Sequence, residues 1–248
     1  VMCQASAGSG STKAVALTSG QTVATTSESF TYDSPDLRSI ENRTITTEGG
    51  QFLTFFGSQF VAFDVSPAVA VEFTVCELTR WISDSSVIGK VASGISLNLN
   101  IRITLEERIS DLTLSFTYSN PLLSSLKVVN APALGSSSMT IFGTSFGSYD
   151  YSQKMRVGGT DCLASSWIDM ISIACKIPGG SGTGKDVALT SGVQVGSLSL
   201  AFTYNIPSIG GTFPHNIPTT GHVNISIFGG EFGNSASDQR VTINDREC

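Results

Sequence analysis

The triplet Phe-Thr-Tyr occurs at residues 30–32, 116–118 and 202–204, with a step of 86 residues each time (116 − 30 and 202 − 116). Other markers keep the same step. Phe56-Gly57 followed by Phe60 returns as Phe142-Gly143 with Phe146, and again as Phe228-Gly229 with Phe232. Cys76, Cys162 and Cys248 stand 86 apart, as do Trp81 and Trp167. A fixed period of this length marks one structural unit copied along the chain. It limits the fold to what a unit of that size can build and stack.

The period divides the 248 residues into the C-terminal part of one repeat (1–32), a complete but divergent repeat (33–118), a second complete repeat (119–204) and the N-terminal part of another (205–248). The chain opens and closes inside a repeat, which reads as a piece of something longer. Apolar residues make up 40% and charged residues only 14%, with abundant Gly, Ser and Thr, which points to β-structure with many turns. Val69, Val71 and Phe73 alternate with polar or small residues on the way to Cys76, and Leu97, Leu99, Ile101, Ile103 and Leu105 alternate likewise. Ile45 to Phe56 reads as an apolar stretch broken by Gly49-Gly50. About seven short strands in one period, separated by Gly, Pro and Ser turns, predict an all-β fold of tandem immunoglobulin-like sandwiches. Each Phe-Thr-Tyr strand runs at once into a proline junction, so the sandwiches are expected end to end as a rod.

The cysteines obey the period too. Cys3 and Cys175 lie two periods apart, so each repeat has two cysteine positions at a C-x12-C spacing. Cys162 and Cys175 are both present; in the preceding repeat Gly89 replaces the second, leaving Cys76 without a partner. Cys3 and Cys248 are expected to pair with residues outside this segment. A paired position repeated down an array reads as a structural disulfide and an oxidising compartment, worth roughly 3 kcal/mol for a loop of this size. Buried reduced thiols in a cytosolic protein are the alternative.

The net charge is −6 and Lys and Arg form no cluster, so no nucleic-acid partner is expected. No apolar run reaches the roughly 18–20 residues that span a bilayer, so this segment is expected to make no membrane contact.

Over essentially its whole length the chain resembles the IPT/TIG family, immunoglobulin-like domains found in plexins, hepatocyte-growth-factor-type receptors and fibrocystin-like proteins. The residues that carry the resemblance are Pro121 and Leu126, the run Thr140-Ile141-Phe142-Gly143-Thr144-Ser145-Phe146-Gly147, Arg156-Val157-Gly158 with Cys162, Ser166-Trp167, and Cys175-Lys176-Ile177-Pro178. The resemblance implies an early-set immunoglobulin fold and, as in extracellular members, a Cys162–Cys175 bridge. It implies no activity, since a fold does not fix a function.

Several local patterns invite a chemical reading and fail it. Gly179-Gly180-Ser181-Gly182-Thr183-Gly184-Lys185 looks like a phosphate loop, but Asp186 stands where magnesium would need Ser or Thr, and a strand follows. His215 and His222 lack ligand spacing. Asp33 and Asp36 could hold interdomain calcium, but their counterparts are Ser119 and Leu122, then Asn205 and Ser208. No catalytic set, metal site or cofactor is expected. Trp81 and Trp167 are expected in the cores. Asn42-Arg43-Thr44 and Asn224-Ile225-Ser226 are sequons that make Asn42 and Asn224 candidate glycosylation sites, at repeat positions 42 and 52.

The expected role is that of a non-enzymatic extracellular structural or adhesive protein, the shaft of a cell-surface filament or appendage. Its partners would be other copies or neighbouring repeats, with surface glycans or proteins. The alternatives are a ligand-binding receptor stalk and an accessory module of a carbohydrate-active enzyme. The receptor reading makes its own prediction: an exposed apolar patch on residues 33–118, the repeat that departs most from the pattern.

Overall fold

The computed structural model describes residues 1–234 and 239–248, and those residues contain strands and turns but no helix. Within the 205–248 stretch, residues 235–238 lie outside the described set. The chain divides into two compact units, Val1–Ser119 and Asn120–Cys248.

In the first unit, residues 36–118 form a sandwich. One sheet has four antiparallel strands in the order Asp36–Ile40, Phe52–Ser58, Ser86–Lys90, Leu78–Ser83. The other has five, in the order Thr44–Ile45, Arg108–Tyr118, Leu99–Leu105, Ala68–Val71, Thr74–Val75, the first pair being parallel. Leu53, Phe55 and Val87 from the four-stranded sheet meet Val69, Ile101, Ile103 and Phe116 from the five-stranded one in a single buried cluster. Alternation along each strand is what puts these residues on one face.

The second unit holds the same sandwich. All nine strands of the first recur with both bounds moved on by 86, from Leu122–Leu126 to Gln194–Tyr204, in the same sheet orders. Nine strands replace the expected seven because Thr44–Ile45 and Thr74–Val75, with their counterparts Asn130–Ala131 and Thr160–Asp161, are two-residue pairings too short to leave a periodic signal. Outside the complete sandwiches, the hairpin Lys13–Ser19 with Thr22–Phe30 repeats the last two long strands. Ser208–Phe213 paired with Ser226–Gly230 repeats the first two.

The three Phe-Thr-Tyr segments do the same work. Phenylalanine and tyrosine two residues apart share a face, and their rings meet edge to face with centroids 5.0–5.1 Å apart. The tyrosine hydroxyl then donates to a carbonyl 26 residues upstream: Tyr32 to Ser6, Tyr118 to Ala92 and Tyr204 to Pro178, at 2.8–2.9 Å. This ties the last strand to the loop before its partner strand.

Two expectations are corrected. Phe73 is 97% exposed, unlike Val69 and Val71. The strand ends at Val71, Glu72 takes a positive φ of 50°, and Phe73 sits in the hairpin turn that follows. The tryptophans are not core residues. Trp81 and Trp167 are half-buried, packed against the edge of each cluster. The indole N–H explains this: that of Trp81 donates to the Phe60 and Val61 carbonyls and that of Trp167 to the Gly147 carbonyl, which holds one edge of the ring at the surface.

Candidate functional site

The described residues contain no group of three or more His, Cys, Asp or Glu side chains able to hold a metal. No helix among them is long and apolar enough to cross a membrane. The Gly179–Lys185 stretch is an irregular loop that enters the strand Lys185–Ser191, with no helix behind it to receive a phosphate. His215 and His222 are both exposed. A cavity of about 510 Å³ in residues 181–242 is lined by Ile209, Ile227, Phe232 and Val241. Their counterparts Leu123, Ile141, Phe146 and Met155 are buried in the neighbouring sandwich, so this surface is core-type packing surface.

The cysteines are placed as follows. Cys162 and Cys175 form a disulfide, with Cα atoms 5.8 Å apart. Cys3 and Cys248 are exposed free thiols, and Cys76 is a buried one. Burial, with a smaller push from Glu77, raises the Cys76 thiol from 9.0 to about 11. The folded thiol keeps its proton where the unfolded one has lost it. Stability therefore falls as pH rises from about 9 to about 11. We expect the 36–118 sandwich to lose about 2 kcal/mol by the top of that window relative to pH 8. Chemical denaturation of the wild type and Cys76→Ala at both ends of the window checks this, since the variant should lack the extra loss.

One difference between the copies lies on the outer face of the four-stranded sheet. In the first sandwich the side chains that point away from the core include Phe52 (58% exposed), Phe56 (42%), Leu78 (54%) and Ile82 (42%), with Ile88 half-buried between strands. Pairing across the sheet aligns Phe52, Lys90 and Leu78 in one row and Thr54, Ile88 and Arg80 in the next. In the second sandwich the same rows read Ser138, Lys176 and Ala164, then Thr140, Ala174 and Ser166. Phe56 and Ile82 keep their counterparts Phe142 and Ile168. The change is therefore confined to Phe52, Leu78, Ile88 and Arg80, which stand where the other copy has Ser, Ala, Ala and Ser. The divergent repeat thus exposes a cluster of apolar side chains on this face. The Lys90–Glu77 ion pair at 2.6 Å beside it is solvent-exposed and contributes little.

Both candidate glycosylation sites border this type of face. Asn42 is exposed and follows the strand Asp36–Ile40. The Glu41 amide donates to the Thr54 carbonyl at 2.9 Å, so the chain is still alongside Phe52–Ser58 as it reaches Asn42. The Asn42 side-chain oxygen accepts the Thr44 amide at 3.2 Å. Asn224 is exposed and occupies the repeat position of Phe52 and Ser138.

Residues 121–204 match the family model of the IPT/TIG domain. Human Fibrocystin-L is 26% identical over 236 residues, which covers 88% of this chain and 5% of that protein, so the chain spans a small part of its relative. Among solved structures, the extracellular region of plexin A4 aligns at 20% identity and a TM-score of 0.36, covering 79% of this chain and 18% of the plexin chain. The surface glycan-binding protein PbSGBP-B from Prevotella bryantii aligns at 14% identity and a TM-score of 0.44, covering 68% and 42%.

Proposed function

From a chain in which residues 121–204 are an IPT/TIG domain and residues 36–118 carry the same nine strands, we infer a run of such modules serving outside the cell as a stiff structural and adhesive shaft. The observation that carries this reading is the junction after Tyr204. The strand ends there and the next copy's first strand begins at Ser208. Asn205, between them, donates its backbone amide to Ala131 and its side-chain amide to Glu231 at 3.1 Å. The other Glu231 oxygen accepts the Ala133 amide, so one carboxylate of the following copy holds the body of the preceding one. Asn234 also lies against Gly179, where an added Cβ would come within 2.4 Å of its side-chain nitrogen. A link this short, fastened on both sides, leaves little room for a hinge.

The disulfide supports an oxidising compartment. Neighbouring repeats are the first partners of such a shaft, with surface glycans or proteins as the adhesive ones. Negative-stain images of the native material are expected to contain extended particles of uniform width. Compact globules would sink the reading.

A further inference from the structure

We propose that Asn42 carries an N-linked glycan and that its first sugar lies on the ring of Phe52, covering the apolar end of that sheet face. The inference rests on the extracellular reading, because the sugar is added in the secretory route. Three observations carry it. Asn42 is exposed, and its side-chain oxygen is engaged by the Thr44 amide, which orients the carboxamide of an Asn-Arg-Thr sequon at the exit of a strand. The Glu41–Thr54 backbone bond brings that exit level with the Phe52 end of the neighbouring strand. Phe52 is 58% exposed there, in a row with Lys90 and Leu78.

A comparison between copies adds to these three. In the second sandwich the position of Asn42 is Val128, which offers no sequon, and the row beside it is Ser138, Lys176 and Ala164. The copy with an acceptor has large apolar residues where the copy without one has small residues. In the third copy the acceptor Asn224 itself replaces Phe52. Both sequons thus lie at the same end of that sheet. Covering an exposed phenylalanine removes apolar surface from water, and the C–H face of a pyranose is a flat apolar surface of matching size.

The covalent step needs a lipid-pyrophosphate-linked oligosaccharide as co-reactant. A bond forms between the Asn42 side-chain nitrogen and C1 of the reducing-end sugar, and the C1–O bond to phosphate breaks. The lipid pyrophosphate leaves with the electron pair, and one amide proton passes to a base. Nothing is oxidised or reduced.

The test secretes the 248-residue polypeptide from eukaryotic cells and measures intact mass before and after peptide-N-glycosidase, with peptide mapping of both sequons. Endoglycosidase then trims each glycan to one N-acetylglucosamine. Thr44→Ala removes the acceptor sequon but leaves Asn42 and its backbone contact. Relative to the trimmed wild type, this variant is expected to melt roughly 3 °C lower and to bind more apolar dye. In a Phe52→Ser background, Thr44→Ala should change neither quantity. A bare Asn42, or the same melting shift in both backgrounds, overturns the proposal. Bare Asn42 with occupied Asn224 overturns it while the extracellular reading stands. Free thiols at Cys162 and Cys175 in the secreted protein would instead strike at that reading.

Discussion

Gly143→Ala is expected to cost the 122–204 sandwich about 4 kcal/mol, far above the typical cost of a Gly-to-Ala change. A Cβ on Gly143 would come within 2.1 Å of the Leu122 carbonyl oxygen and 2.5 Å of the Phe146 ring. Neither obstacle can move cheaply. The Leu122 carbonyl belongs to the first strand, which pairs with Ser138–Thr144 across this point, and Phe146 is fully buried. The same arrangement recurs at Gly57 with Asp36 and Phe60, and at Gly229 with Ser208 and Phe232. The glycine is what lets the second phenylalanine of the Phe-Gly-x-x-Phe motif fold back under its own strand into the core. Gly211→Ala is the control, since nothing lies within 4 Å of its Cβ position and its φ is ordinary. Chemical denaturation in a Trp81→Phe background, so that Trp167 reports on one sandwich, measures the loss. A cost under 1 kcal/mol would mean that the strand pairing opens easily to accept a methyl group.

The motif containing Gly143 shows how far the sequence could be read. Its recurrence announced the repeat, and alternation announced strands, because period-2 patterning follows from the geometry of a pleated chain. What alternation does not reveal is which phenylalanine of the motif is the core one. Phe56 and Phe142 point outward and Phe60 and Phe146 inward, an outcome set by the close approach at the glycine. The apolar face was partly legible. Phe52-Leu53-Thr54-Phe55-Phe56 is apolar on both faces of the strand, where Ser138-Met139-Thr140-Ile141-Phe142 is apolar mainly on one. The neighbours that complete the patch, Leu78 and Ile88, come from other strands and are brought beside Phe52 by pairing register alone. The tryptophans misled because a large aromatic near a disulfide suggests a core, whereas the reach of the indole N–H to a loop carbonyl decided their depth.

Replacing both Cys162 and Cys175 by Ala should cost the second sandwich about 3 kcal/mol from loop closure alone. The first sandwich has no such bridge, and its local packing explains how it does without one. A Cβ built on Gly89 would lie 3.2 Å from the Cys76 sulfur and 3.6 Å from its Cβ, a separation at which disulfides form. It would also lie 2.9 Å from the Phe55 ring, and Phe55 stands where the second sandwich has Ile141. The larger ring occupies the space that the second cysteine gave up. Gly89→Cys alone is therefore expected to overpack the core and to leave Cys76 reduced. Gly89→Cys combined with Phe55→Ile should restore the bridge and raise the midpoint of denaturation relative to Phe55→Ile alone. Counting thiols under denaturing conditions decides the matter: the double variant should show two free thiols, Cys3 and Cys248, against three in the wild type. Four free thiols in the oxidised double variant would mean that the backbone at residue 89, and not the ring of Phe55, keeps the two positions from bonding.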